Sequence, residues 1–367
     1  MKALKKIGKA SLIIILLFVV ALVVLLNTRP DLSEFENSYA GPATGKMTVR
    51  FFGTSSMMFS DGETNIMIDG WFTRPNPFDA LFGKIEPDAK AIDAGFQKLG
   101  DPDIDVLIPV HTHYDHAMDV GEIMKKPSVA LVGSESSKNI ALGACEDVAR
   151  CKEIKNIKPM KHGDHRCVGK FKITLYETEH FVNSSKVLNL LVKMDPSITE
   201  PLKPPVPLTS YGTGSVYSVL IEHPDGTALV QASANYKAGA LAKLGLDVDT
   251  VYLGIGGLAS KGDAYQDDYW QEVVIATKAE SVYPIHWDSL TDSAFDTDKY
   301  PLAPNRLAND IFNAKAKGSL LSSFEKAERD GKSIALLPMW EAVDAFLNKK
   351  PSHTGKKLSC SIPDSTP

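Results

Sequence analysis

The chain opens on Lys2, Lys5, Lys6 and Lys9, and an apolar run then extends from Ala10 to Leu26, broken only by Ser11. A run of this length predicts a helix near the lower limit for crossing a bilayer, and it exceeds most signal-peptide cores. Lysines precede the run, and Asp31, Glu34 and Glu36 come after it. The positive-inside rule then sets the N-terminus in the cytoplasm and the bulk of the chain on the extracytoplasmic side. The rival reading is a cleaved signal peptide and a secreted form. It lacks a small-x-small pair directly after Leu26, since the nearest, Ser38-Tyr39-Ala40, lies too far on. The expectation is a short cytoplasmic segment over residues 1–9, an uncleaved membrane anchor over 10–27, and a polar linker with Pro30, Gly41 and Pro42 over 28–46.

From Met47 the pattern changes to short runs bounded by Gly, Pro, Asp or Asn, many of them β-branched. They predict strands over Met47–Phe52, Asn65–Asp69, Val106–Val110, Val129–Val132, Phe171–Glu179, Val187–Met194, Ser215–Glu222, Thr227–Gln231, Thr250–Leu253 and Ser281–Ile285. Helical spacing marks Ala89–Leu99 and Tyr265–Lys278, then Asn305–Lys317 and Leu320–Asp330. Strands come in neighbouring groups with helices between and after them. That order suggests an α/β protein with two sheets and helices outside, one domain over 47–345, and a disordered tail over 346–367. Two long loops stand out. Gly70–Pro87 carries Trp71, Phe72, Phe78 and Phe82, and Pro196–Gly214 ends in a Gly212-Thr213-Gly214 turn.

Composition adds exclusions more than assignments. Of 367 residues 44% are hydrophobic and 23% charged, enough for a packed core. The net charge of -5, with no basic stripe, argues against a nucleic-acid partner. Cys145, Cys151 and Cys167 fall close together, with Cys360 far off. No C-x-x-C spacing supports a metal site, so a disulfide and simple thiols remain open.

The chemistry gathers where the apolar strand Val106–Val110 ends. His111-Thr112-His113-Tyr114-Asp115-His116 puts three imidazoles and a carboxylate into six residues. Both are good ligands for zinc-like ions. On extended backbone His111 and His113 point to one side, and Asp115 and His116 fall on the following turn. A lone histidine is more often packed or solvated, but four such groups buried together would be costly without a cation.

This run resembles the H-x-H-x-D-H signature of the metallo-β-lactamase superfamily. The resemblance implies an αβ/βα four-layer sandwich with metals at the sheet edges, and it extends over about Met47 to Ala345. Asp69, ending Asn65-Ile66-Met67-Ile68-Asp69-Gly70, matches an aspartate that supports the site from behind; its plainer role is a strand-end cap. His162-Gly163-Asp164 before a strand ending at His180 is similar to the family's Gly-Asp turn and third histidine. Asp164 then reads as a turn former, and His162 and His165 as solvated loop residues. Val282-Tyr283-Pro284-Ile285-His286-Trp287 resembles the last histidine motif. The implied ligands are His111, His113 and His180 for one ion, and Asp115, His116 and His286 for the other. Where the family places a bridging aspartate, this chain has Ala232-Ser233-Ala234-Asn235, so Ser233 and Asn235 stand near a position without a carboxylate. Affinity for a second ion should fall accordingly. The His286-Trp287 pair and Tyr114 resemble the branch containing ascorbate-phosphate lactonase and the N-acylphosphatidylethanolamine phospholipase D type.

The implied activity is hydrolysis of an ester, lactone, amide or phosphodiester by a water activated on zinc, one or two ions, with manganese or iron as alternatives. Asp115 serves as ligand or as general base. Trp71, Phe72, Tyr114 and Trp287 are candidate substrate contacts, and with an anchor at hand a lipid-like or other small-molecule substrate fits. Against this, Trp71 and Phe72 equally suit packing of their loop. Two other functions share the fold: a non-catalytic binding protein, marked by Ser233, and an iron-dependent thiol- or oxygen-active member. A β-lactamase is not favoured, because the fold hosts many chemistries.

Overall fold

The structure, a computed structural model, describes residues 2–145, 157–183, 196–297 and 300–348. Its first sheet contains β1 (Thr48–Phe51), β2 (Met57–Ser60), β3 (Asn65–Ile68), β4 (Val106–Ile108), β5 (Ala130–Gly133) and β6 (Ile157–Pro159). The second contains β7 (His165–Val168), β8 (Phe171–Thr178), β9 (Val216–His223), β10 (Gly226–Gln231), β11 (Thr250–Gly254), β12 (Ser281–Ile285) and β13 (Ser333–Ile334). The last strand, β14 (Ala342–Asp344), returns to the edge of the first sheet beside β1. Both sheets are mixed. β14-β1-β2-β3 is antiparallel and β3-β4-β5-β6 parallel; β7-β8-β9-β10 is antiparallel and β10-β11-β12-β13 parallel. This is the two-sheet α/β architecture the sequence suggested.

Strand alternation builds the layers. In β11, Tyr252 faces the first sheet and meets Phe59 edge-on at 5.0 Å between ring centroids. Its neighbours Val251 and Leu253 turn outward to a second core with Tyr269, Trp270 and Leu320. Those outer residues come from the helices Asp263–Trp270 and Ala316–Arg329. Strands with helices on one face and a sheet on the other are apolar on both, which is why β4 reads Val-Leu-Ile without alternation.

The helix Ala89–Leu99 forms over its expected span, with Asp88 capping Lys90 N and Ala91 N and Gly100 left-handed at its end. The helix expected over Tyr265–Lys278 starts earlier, at Asp263, and widens into a π turn over Gln271–Ile275. The one expected over Asn305–Lys317 is broken, because Asn313 and Lys315 take positive φ. Its remnant is Leu307–Ile311, and a new helix begins at Ala316. The strand expected over Val187–Met194, Cys151, Cys360 and the tail beyond residue 348 lie outside the described residues. Cys145 and Cys167 are both disulfide-bonded.

The N-terminal expectation is overturned. Helix α1 (Lys2–Asn27) forms, but among the described residues no helix is long and apolar enough to cross a membrane. The unbroken apolar run Leu12–Leu26 extends about 22 Å at about 1.5 Å per residue, against a hydrocarbon core of about 30 Å. The single-pass anchor expected over residues 10–27, from which the localisation was drawn, is therefore not supported. The segment after α1 packs onto the domain: Arg29 grips Asp292 through two hydrogen bonds of 2.8 and 2.9 Å, and Phe35 is buried in the outer core.

Candidate metal centre

The carboxyl ends of β3, β4, β8, β10 and β12 converge, and each delivers one part of the site, as open α/β sheets tend to do. β4 runs into His111. His113 caps a single helical turn, Tyr114–Ala117, whose His116 and Ala117 amides donate to the His113 carbonyl at 3.0 and 2.9 Å. That turn carries Asp115 and His116 round to a second face. β8 leads to His180 and β12 to His286. His286 takes φ +60°, and its amide donates to the Thr54 carbonyl at 2.6 Å.

The result is two triads, His111/His113/His180 and Asp115/His116/His286, each with ligand atoms within 4.8 Å of one another. In the first, His111 Nε2 lies 3.1 Å from His113 Nδ1, and the His180 ring stands 4.3 Å from that of His113. In the second, His116 Nε2 is 3.2 Å from His286 Nε2. Asp115 Oδ2 is 3.3 Å from His286 Nε2 and 3.5 Å from His116 Nε2.

Groups behind the triads set which atoms face inward. Asp69, fully buried at φ +58°, accepts His116 Nδ1–H at 2.8 Å through Oδ2 and Val110 N–H at 2.8 Å through Oδ1. Ser55 Oγ donates to the same Oδ2 and lies 3.0 Å from His116 Nδ1. With its proton on Nδ1, His116 turns a bare Nε2 toward His286 and Asp115. Nitrogen and oxygen lone pairs packed this closely repel one another unless a cation lies between them. The residues present therefore fit a divalent ion. His111 Nδ1 is buried without a hydrogen-bond partner.

Electrostatics point the same way. Burial, and then the neighbouring imidazoles, hold His111 and His180 well below the usual histidine range. Burial pushes His113 down to about 4. These rings stay neutral and free to coordinate at neutral pH. At Asp115 burial works upward, but the pull of His116 and His286 exceeds it and keeps the carboxylate ionised. Burial likewise opposes protonation of His116, yet Asp69 and Asp115 raise it above its usual value.

Ser233 and Asn235 lie beside His180, not between the triads. Ser233 Oγ accepts from Phe181 N at 2.8 Å, and Asn235 Nδ2 donates to the His180 carbonyl at 2.8 Å. Tyr265 in turn donates to Asn235 Oδ1 at 2.6 Å. The loop without a bridging carboxylate thus grips the backbone of the third histidine. Of the four aromatics considered for substrate contact, Trp71, Phe72 and Trp287 are core residues and Tyr114 is partly buried. Trp71 packs edge-on against Tyr114 at 5.7 Å, and Phe72 stacks on Phe52 at 4.9 Å. The exposed aromatics of that loop are Phe78 and Phe82. Asp164 forms its turn by accepting from Lys161 N at 2.8 Å. His162 and His165 are exposed and belong to neither triad, His162 accepting from Glu177 N.

Sequence reasoning missed Ser55, Thr213 and a charged cluster under the second triad. Thr213 Oγ1 lies 2.8 Å from His113 Nε2. In the cluster, the Arg74 guanidinium sits 3.6 Å over the Trp71 ring and donates to the Trp71 carbonyl at 2.9 Å. Burial lowers it to about 10 against the pull of Asp288, Asp119 and Asp115. Asp119 accepts from the Phe72 and Thr73 amides at 2.7 and 2.8 Å, and burial raises it to about 6. Asp288 accepts from Thr54 N at 2.9 Å. A lone arginine or serine in a loop carries no signal of such a place; only the fold assembles it.

Residues 49–143 match the model of the metallo-beta-lactamase superfamily. No curated protein matches the chain. Among solved structures, the chain is similar to Igni18, a metallo hydrolase from the archaeon Ignicoccus hospitalis, at 16% identity over 81% of this chain and 97% of that one, TM-score 0.45. It is similar to a putative metal-dependent hydrolase from Parabacteroides distasonis at 12% identity, over 82% and 98% of the two chains, TM-score 0.42. It is also similar to CmlA, a diiron β-hydroxylase from Streptomyces venezuelae, at 13% identity over 80% of this chain and 53% of that one, TM-score 0.43. The matched segment, which contains the H-x-H-x-D-H run, is thus similar to the metallo-beta-lactamase superfamily, and the two triads give the chain a ligand set that fits metal ions.

Proposed function

We propose that the protein hydrolyses an ester, lactone or phosphodiester with zinc as its metal. The observation that carries this reading is the pair of preassembled triads, with the outward Nδ1 proton of His116 taken up by Asp69. A divalent ion bound there supplies a Lewis acid and brings the pKa of a water toward neutrality. The chain's own residues do the rest. His111, His113 and His180 provide neutral donors, while His116, locked by Asp69, provides a fourth with a fixed tautomer. Asp115 remains ionised beside His116 and His286, placed to coordinate or to accept a proton from water.

With Ser233 and Asn235 engaged on the His180–Phe181 backbone, Asp115 is the one carboxylate among the six ligand residues. Two ions should therefore bind unequally, because the second adds charge to a site with little to neutralise it. The test has two arms. Metal content of protein purified without added metal should show zinc; iron would instead favour redox chemistry, and no metal a binding role. Apoprotein titrated with zinc should take up one equivalent tightly and a second more weakly, so two equally tight equivalents would refute the asymmetry. A panel of esters, lactones, phosphodiesters and β-lactams, run beside His111→Ala, then identifies the bond that is cleaved.

A further inference from the structure

His113 must present Nδ1 to the first triad, since that atom lies 3.1 Å from His111 Nε2. Its proton therefore belongs on Nε2, and a buried N–H needs an acceptor. The atom within reach is Thr213 Oγ1, at 2.8 Å. Thr213 comes from the far end of the loop before β9, a hundred residues along the chain, and its placement is tightly determined. The Thr213 carbonyl accepts from Thr112 N at 3.0 Å, and Thr112 Oγ1 donates to the Gly212 carbonyl. Gly214 adopts φ +61° with Thr112 Oγ1 only 2.8 Å from where a Cβ would stand, so the strap lies flush against the H-x-H turn. Its amide is held by the Pro196 carbonyl at 2.8 Å.

We infer that Thr213 is a positioning residue: its hydroxyl accepts the His113 Nε2 proton, fixing the tautomer and ring orientation with which the first triad takes its ion. This rests on the proposed metal-dependent function. The three imidazoles of that triad are unequally supported. His111 Nδ1 has no partner, so the hydroxyl on His113 is the polar hold that a side chain provides within the His111–His113 pair. The strap delivers it in the same stroke that fixes Thr112 between the two histidines.

The test compares wild type, Thr213→Val, which keeps the shape and removes the hydroxyl, and Thr213→Ser, which keeps the hydroxyl. Each apoprotein is titrated with zinc against a chelator of known affinity. The tautomer of His113 is read from long-range proton–nitrogen NMR of the imidazole. Losses of about 10- to 100-fold in affinity are usual when the group behind a ligand histidine is removed. Thr213→Val should weaken the tightest equivalent by that factor and mix the His113 tautomers, with the circular dichroism of the apoprotein unchanged. Thr213→Ser should restore both. Unchanged zinc affinity in Thr213→Val overturns the inference, as does a Ser variant as weak as Val, which would assign the effect to packing of the methyl group. Wild-type protein that binds no zinc, manganese or iron would overturn the metal-dependent function itself, and this inference with it.

Discussion

Asp69→Asn changes one atom at the point where three buried donors meet. Oδ1 accepts from Val110 N, and Oδ2 from His116 Nδ1 and Ser55 Oγ. An amide has one oxygen, so one of two conflicts must arise. If Nδ2 takes the place of Oδ1, it faces the Val110 N–H at 2.8 Å and orphans a backbone donor. If it takes the place of Oδ2, it faces the His116 N–H. The ring can escape only by moving its proton to Nε2, the atom 3.2 Å from His286 Nε2, and it then no longer coordinates. The first outcome costs stability and the second costs metal.

A buried donor left unpaired costs about 1 to 3 kcal/mol, and losing a charged acceptor adds to it. We expect about 2 to 4 kcal/mol, or roughly 4 to 16 °C in melting temperature at about 2 to 4 °C per kcal/mol. Metal affinity should fall by about 10- to 100-fold. Thermal denaturation of the apoprotein gives the first quantity and competitive zinc titration the second. Asp69→Asn with wild-type stability and wild-type zinc affinity would refute the reasoning, because no rotamer of the amide satisfies all three donors.

Apoprotein stability should fall as pH drops from about 7.5 to about 5. Folded His111, His113 and His180 hold pKa values below the unfolded value, so the unfolded state binds more protons below about pH 6.5 and stability is lost there, by up to about 1.4 kcal/mol per pH unit for each ring. His116 acts oppositely, since its raised folded value adds stability below the unfolded pKa that disappears as pH rises through the folded pKa, and Asp119, raised to about 6, likewise favours the folded state on acidification; three rings against these two groups decide the sign, and a melting temperature that stays flat or rises on acidification contradicts it. Gly214→Ala should destabilise by roughly 1 to 3 kcal/mol, combining left-handed strain with displacement of Thr112, and denaturant melts beside zinc titration should show both effects. Trp71→Ala should cost about 3 to 5 kcal/mol as a core truncation, whereas Phe78→Ser and Phe82→Ser should stay within about 0.5 kcal/mol; equal losses in urea denaturation would mean the exposed pair is not exposed in solution.

What the sequence disclosed divides along a physical line. β-branched runs such as β11 and β12 declared themselves because burial on both faces demands them. Met57–Ser60 and His165–Val168 did not, since Met-Met-Phe-Ser and His-Arg-Cys-Val carry weak strand preference and are strands because a neighbour pairs with them. The same holds for the site. His111, His113, Asp115 and His116 were legible because ligand chemistry restricts residue type and one strand with one turn fixes their spacing. Of their supports, Asp69 was legible through the resemblance, whereas Ser55 and Thr213 were not. An acceptor behind an imidazole can be a carboxylate, a hydroxyl or a carbonyl, and it can come from anywhere the fold brings close: Asp69 from the end of β3, Thr213 from a hundred residues away. Ser233 shows the limit most directly. The resemblance puts it near the place of a bridging aspartate and its chemistry predicts a missing charge, but only the fold shows its hydroxyl taking the Phe181 amide. A substitution that looks like a loss at the metal is, in three dimensions, a hold on the ligand beside it. Ser233→Ala should therefore disturb His180 by removing the acceptor of the Phe181 amide, read as a loss of zinc affinity.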